Sequence, residues 1–181
     1  MYVEMPEEAK KFASALRRKS RTFNTVDVVL APAFPLIPAT AAALHGSPIK
    51  VGAQAVSPFG ELQGKAHTGE VSAKMLKAVG ASFCIVGHPE RRTNGDTDEV
   101  VAAQITQAHA AGLVVLLCVG EQERDAAGSF FSVIETQLSS ALKDMPKKSA
   151  AKLVVSYEPL WAIGKSAQEA MPPADVREMV I

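Results

Sequence analysis

The chain has 181 residues, enough for one domain with a sizeable core, and 48% of them are hydrophobic. Its 19 basic and 19 acidic residues cancel, with no block of like charge, which argues against a nucleic-acid partner. The longest apolar run, Leu113 to Val119, is too short to cross a bilayer, and the charged start Met1-Tyr-Val-Glu-Met-Pro6 lacks the apolar stretch of a signal peptide, so a cytoplasmic protein with no membrane partner is expected.

The first expected element is a helix over roughly residues 6 to 19, with Ala9, Phe12 and Leu16 on one face and Pro6 in its first turn. A strand follows over Val26 to Ala31, then a helix from about Pro35 to His45, closed by Gly46. Ile49 to Gln54 reads as the second strand. Residues 55 to 68 read as a long loop, a feature that in a compact domain usually serves function. A helix from about Gly69 to Val79 stops at Gly80. Phe83 to Gly87 is the third strand. Asp96 and Glu99 have the spacing of a capping box, opening a helix that runs to Ala111. Leu113 to Val119 is the fourth strand, Ser129 to Leu142 a further helix, and Leu153 to Tyr157 the fifth strand. Pro172-Pro173 opens a last helix that reaches Ile181.

The strands start near residues 26, 49, 83, 113 and 153, so most units have the size of a strand–helix–strand step. Several are continuous apolar runs, as expected where both faces are buried. A parallel sheet with right-handed crossovers follows. The pattern leaves two architectures open, an open doubly wound sheet and a segment of a barrel. No Gly-x-Gly-x-x-Gly follows the first strand, which disfavours dinucleotide binding. Cys84 and Cys118 lie inside apolar strands without metal-ligand spacing. They read as buried free thiols in a reducing compartment, and no metal site is expected.

In either parallel architecture ligands bind at the carboxyl ends of the strands. His88 directly follows the third strand and Glu158 the fifth, so both point to the same rim. An imidazole and a carboxylate there can move protons, and the pair is the candidate catalytic site. His45, His67 and His109 lack such context and read as structural or exposed. Pro159-Leu-Trp-Ala-Ile-Gly164 is an apolar loop bounded by Pro and Gly, readable as a lid that excludes water or as a buried connection; Gly164 offers a backbone N–H to an anion.

Two segments carry a resemblance. Cys84-Ile-Val-Gly-His-Pro-Glu-Arg-Arg92 and Tyr157-Glu-Pro-Leu-Trp-Ala-Ile-Gly164 resemble the triosephosphate isomerase family. Shorter matches in family order are Ala33-Phe-Pro35, Val51-Gly-Ala-Gln54, Thr68-Gly-Glu-Val-Ser72 and Leu117-Cys-Val-Gly-Glu121. The resemblance implies a parallel (β/α)8 barrel, here an incomplete one with about five βα units in a single domain over residues 1 to 181. It implies a glycolytic and gluconeogenic enzyme of the cytoplasm that interconverts dihydroxyacetone phosphate and D-glyceraldehyde 3-phosphate without a cofactor. Glu158 would be the base and His88 the group that polarises the carbonyl. That pair is a known worked case of tuned acid and base groups. Gly164 would bind the substrate phosphate. Glu90, Cys118, Glu121 and Trp161 would support the site, Trp161 approaching Glu121 from the lid. Thr68 would sit at the tip of a loop that enters a partner subunit, implying a homodimer; Lys65, in the same loop, is not the family's catalytic lysine.

Departures from the family pattern carry expectations of their own. No strand with an Asn-x-Lys motif precedes the opening helix, and the last two strands are missing, so the chain reads as strands two to six of eight, a fragment with two open sheet edges. Pro89 stands where the family has serine; it lacks a hydroxyl and an N–H and biases His88 towards extended backbone. The second half of the lid reads Lys165-Ser-Ala-Gln-Glu-Ala-Met171 instead of Thr-Gly-Lys. These departures keep two alternatives open: a paralogue acting on a four-carbon ketose phosphate, and a catalytically silent fragment that only binds.

Overall fold

A computed structural model describes residues 1–23, 25–60, 67–125, 127–166 and 170–180. Among the described residues five parallel strands lie side by side in chain order: β1 (Val29–Leu30), β2 (Lys50–Ala53), β3 (Phe83–Val86), β4 (Val114–Val119) and β5 (Leu153–Tyr157). A doubly wound sheet would reverse its order part-way; this one does not, and the strands form a half-barrel. The helices are α1 (Pro6–Lys19), α2 (Ile37–Leu44), α3 (Ala73–Ala78), α4 (Pro89–Thr93), α5 (Asp98–Ala110), α6 (Phe130–Leu142) and α7 (Pro173–Val180).

Burial alternates along β3. Cys84 and Val86 are buried and join Val101, Ile105 and Ala108 of α5 in one hydrophobic cluster. Phe83 and Ile85, on the opposite and concave face, are only half-buried. The longest ladder joins β4 to β5, from Val115↔Leu153 to Val119↔Tyr157. It sets the two strand ends that matter for the site level with each other.

Several expectations need correction. β1 begins at Val29 rather than Val26, which is 61% exposed, because the pairing with β2 starts only at Val29↔Lys50. On α1 the buried residues are Ala9 and Ala13, and Leu16 packs partly buried against the core, while Phe12 is 47% exposed; α1 packs on α2. The helix expected from Gly69 starts at Ala73, where the Ser72 side chain accepts the Met75 N–H. Asp96 is not a cap. Thr97 caps α5 by accepting the Val100 N–H, and Asp96 is buried between Arg91 and Gln104. At β5, the last strand of the sheet, Val154 and Val155 are each about half exposed, in line with the open edge expected there. Among the described residues no helix is long and apolar enough to cross a membrane.

Candidate active site

His88 owes its placement to its neighbours on both sides. β3 stops at Val86, and Gly87 turns the chain with φ +73°. A Cβ on Gly87 would stand 2.8 Å from the Cys118 carbonyl oxygen, so glycine alone lets the two strand ends approach. The reading that no turn residue separates strand from histidine is corrected by this glycine. His88 is extended (φ −55°, ψ 139°), as a following proline favours, and Pro89 occupies the first turn of α4. The ring itself caps that helix: the Glu90 N–H donates to Nδ1 at 3.3 Å. With Nδ1 accepting, the neutral ring carries its hydrogen on Nε2.

Glu158 follows β5, and its backbone N–H donates to the Val119 carbonyl at 2.7 Å. Its two carboxylate oxygens differ. Oε1 accepts the Ser156 hydroxyl at 2.9 Å and the Cys118 thiol at 3.0 Å. Oε2 lies 3.3 Å from His88 Nε2. Both side chains are about a quarter exposed, so the pair sits at the mouth of the concave face rather than in the core. Burial pushes the Cys118 thiol well above the ordinary thiol range; the Glu158 hydrogen bond and charge add to this, and Arg92 opposes it. The thiol is therefore a donor here and not a nucleophile.

A second cluster ties the segment after β5 to the end of β4. Glu121 is 1% exposed. It accepts the Tyr157 hydroxyl at 2.8 Å and the Trp161 indole N–H at 2.8 Å. Arg124 Nε lies 3.4 Å from Glu121, and Arg124 Nη2 donates to the Tyr157 oxygen at 3.1 Å. The guanidinium also lies 4.1 Å over the Phe130 ring and 5.7 Å from the Trp161 ring. Burial and the Glu121 carboxylate raise the Tyr157 hydroxyl above its ordinary range, with Arg124 opposing. The Leu160 N–H donates to the Glu121 carbonyl at 2.9 Å, so Pro159–Gly164 starts as an anchored turn.

His88, Cys118 and Glu158 thus meet in one cluster, and Glu121 and Trp161 in the next. Glu90 reaches His88 through its backbone N–H, and its largely exposed carboxylate lies 3.9 Å from the same ring nitrogen, Nδ1. Gly164 (φ +73°) and Thr68 are exposed and belong to neither set of contacts. Lys65 lies outside the described residues, as do residues 61–66 around it and 167–169 of the lid's second half. Among the other histidines, His45 is exposed, His67 stacks on Phe59 at 3.8 Å, and His109 lies 3.4 Å from the Lys152 carbonyl oxygen. Sequence reasoning missed Ser156, Arg124 and Gln137, whose side-chain amide pairs with the Gly120 backbone at the end of β4. Ser156 was findable, because a strand places residues two apart on one face. Arg124 and Gln137 carry no sequence signal.

A cavity of about 480 Å³ opens on the His88 side of the pair, lined by Gln54, Ile85, His88, Glu90 and Arg91 among others; Glu158 is not part of its lining. Its size suits a small molecule. Among the described residues no group of three or more His, Cys, Asp or Glu could hold a metal ion. A neutral N–H donor and a carboxylate oxygen 3.3 Å apart can polarise a carbonyl and take a proton from the carbon beside it.

A sequence model of triosephosphate isomerases matches residues 1–180. The chain is 40% identical over 159 residues to a triosephosphate isomerase of Endomicrobium trichonymphae, covering 87% of this chain and 62% of that one. It is 47% identical over 145 residues to one of Afipia carboxidovorans, covering 78% and 55%. The crystal structure of triosephosphate isomerase from Bartonella henselae superposes with a TM-score of 0.81 at 30% identity, covering 99% of this chain and 69% of that chain. The chain therefore spans about 62% of the length of the Endomicrobium relative, and less of the Afipia one.

Proposed function

The chain belongs to the triosephosphate isomerase family, and from that premise we propose that the protein interconverts dihydroxyacetone phosphate and D-glyceraldehyde 3-phosphate. The Glu158 carboxylate takes a proton from C1 of the ketose. The C–H electrons form the C1=C2 bond, and negative charge moves to the oxygen on C2. His88 Nε2–H hydrogen-bonds that oxygen and stabilises the enediolate. Return of the proton from Glu158 to C2, with the remaining hydroxyl proton passing between the two oxygens beside His88, yields the aldose. C1 is oxidised and C2 reduced within the one molecule, so the step needs no external oxidant or reductant, and no cofactor enters the proposal.

The observation that carries this reading is the 3.3 Å approach of His88 Nε2 to Glu158 Oε2, with His88 lining an open cavity. In the same proposal Gly164 presents its N–H to the substrate phosphate, and Glu90, Cys118, Glu121 and Trp161 support the site and its lid. Residues 1–181 act as part of one barrel domain. The protein works in the cytoplasm, in glycolysis and gluconeogenesis, as a homodimer that uses the loop around Thr68. The test is a coupled isomerase assay of the full-length protein on D-glyceraldehyde 3-phosphate, beside Glu158→Gln and with a four-carbon ketose phosphate in parallel. Turnover of the triose that Glu158→Gln abolishes supports the reading. No turnover above that variant sinks it.

A further inference from the structure

We propose that Ser156 is a positioning residue for Glu158: its hydroxyl pins Oε1 so that Oε2 stays turned towards His88. The proposal deepens the reading of Glu158 as the base and rests on it.

The geometry comes from strand period and register. Ser156 lies near the end of β5 and Glu158 directly follows that strand, two residues on, so the extended chain keeps both side chains on one side. The β4–β5 ladder sets Cys118 opposite Ser156, so both donors stand beside the carboxylate. They share one oxygen, Ser156 Oγ at 2.9 Å and Cys118 Sγ at 3.0 Å, and leave the other to His88 at 3.3 Å. A hydroxyl is the stronger donor of the two, and a hydrogen bond to an ionised acceptor is stronger than a neutral one. Ser156 therefore sets the carboxylate's orientation more than Cys118 does. A glutamate has three rotatable side-chain bonds, so an unpinned carboxylate spreads over several rotamers. Small misplacement of a reacting group is expensive in rate. The backbone of Glu158 is already tied to Val119, which leaves side-chain orientation as what Ser156 adds.

The test compares Ser156→Val with Ser156→Thr. The two have the same shape and the same fitness for a strand, and only threonine keeps the hydroxyl. In the full-length protein Ser156→Val should lower kcat roughly tenfold with KM within about twofold, while Ser156→Thr stays within about twofold of wild type. Equal kcat in the two variants overturns the proposal. A second readout does not depend on activity. A double-mutant cycle of Ser156→Val with Glu158→Leu is read by urea midpoints. Ser156→Val should lower the midpoint beside Glu158 and leave it nearly unchanged beside Glu158→Leu. Additive midpoints overturn the pinning even if the protein isomerises trioses. Coupled midpoints in a protein with no turnover would sink the isomerase reading and leave the pinning supported.

Discussion

Gly120 and the backbone of Glu158 occupy one space: a methyl group on Gly120 would overlap the Glu158 carbonyl. The ladder that ends at Val119↔Tyr157 brings the next residue of each strand face to face, and the Glu158 N–H closes on Val119. Gln137 of α6 locks the glycine in place. The Gly120 N–H donates to Gln137 Oε1 at 2.9 Å, and Gln137 Nε2 donates to the Gly120 carbonyl at 3.0 Å. A glutamine on an outer helix thereby reaches the strand end beside the candidate base.

Gly120→Ala should displace the Glu158 backbone. We expect a loss of about 1–3 kcal/mol in stability by urea unfolding, as for other overpacked sites. Activity of the full-length protein should fall about 100-fold, the scale of a misplacement near 1 Å. Unchanged kcat in the folded variant would show that Glu158 is not held through this contact.

The two rim residues should separate by magnitude. Glu158→Gln should cost about 100-fold to 10,000-fold in kcat, as loss of a general base does. His88→Gln should cost about 100-fold to 1,000-fold, as loss of one preorganised donor does. Steady-state kinetics on triose phosphates reads both. A His88→Gln variant with wild-type kcat would exclude the ring from the reaction.

Glu121 is buried with three partners, so removing it should be costly. Glu121→Ala should destabilise the chain by about 3–5 kcal/mol, the scale for breaking a buried charged pair. Trp161 is the only tryptophan in the chain. Loss of its bond to Glu121 should therefore shift the emission spectrum to the red. An unshifted spectrum at wild-type stability would contradict the cluster.

Alkaline pH should weaken the fold. Burial pushes the Cys84 thiol up to about 12 from an ordinary 9.0, and Cys118 and Tyr157 are also raised. Above about pH 9 the unfolded thiols release protons that the folded ones keep. The unfolded state then binds fewer protons, so stability falls as pH rises. The contribution is complete below about pH 9 and is lost progressively towards the folded value near 12. Urea midpoints measured from neutral to strongly alkaline pH should be flat at first and then fall. Cys84→Ala should shallow that fall, and an unchanged slope would assign the lability elsewhere.

How much of this was legible varies by residue. His88 and Glu158 could be placed on one rim from sequence, because strand direction in a parallel sheet sends every strand end the same way. The Trp161–Glu121 contact was legible only through the family resemblance. Asp96 shows a limit of local reading: its spacing to Glu99 suits a cap, yet it is drawn into the protein by Arg91 and Gln104, and Thr97 takes the cap instead. Phe12 shows another: it is 47% exposed, and the residues that α1 buries are Ala9 and Ala13.

The sequence by itself determined the alternation of strands and helices, the parallel sheet and the two strand ends that carry ionisable groups. Those features depend on periodicity and composition within a few residues. The tertiary structure decided which oxygen of Glu158 meets His88, that Ser156 and Cys118 share the other, and that Gln137 and Arg124 belong to the site at all. These contacts depend on the register between β4 and β5 and on how α6 packs against β4. A one-residue slip would turn every side chain of β5 to the other face, and the register is set by burial across the whole sheet rather than by any local run of residues.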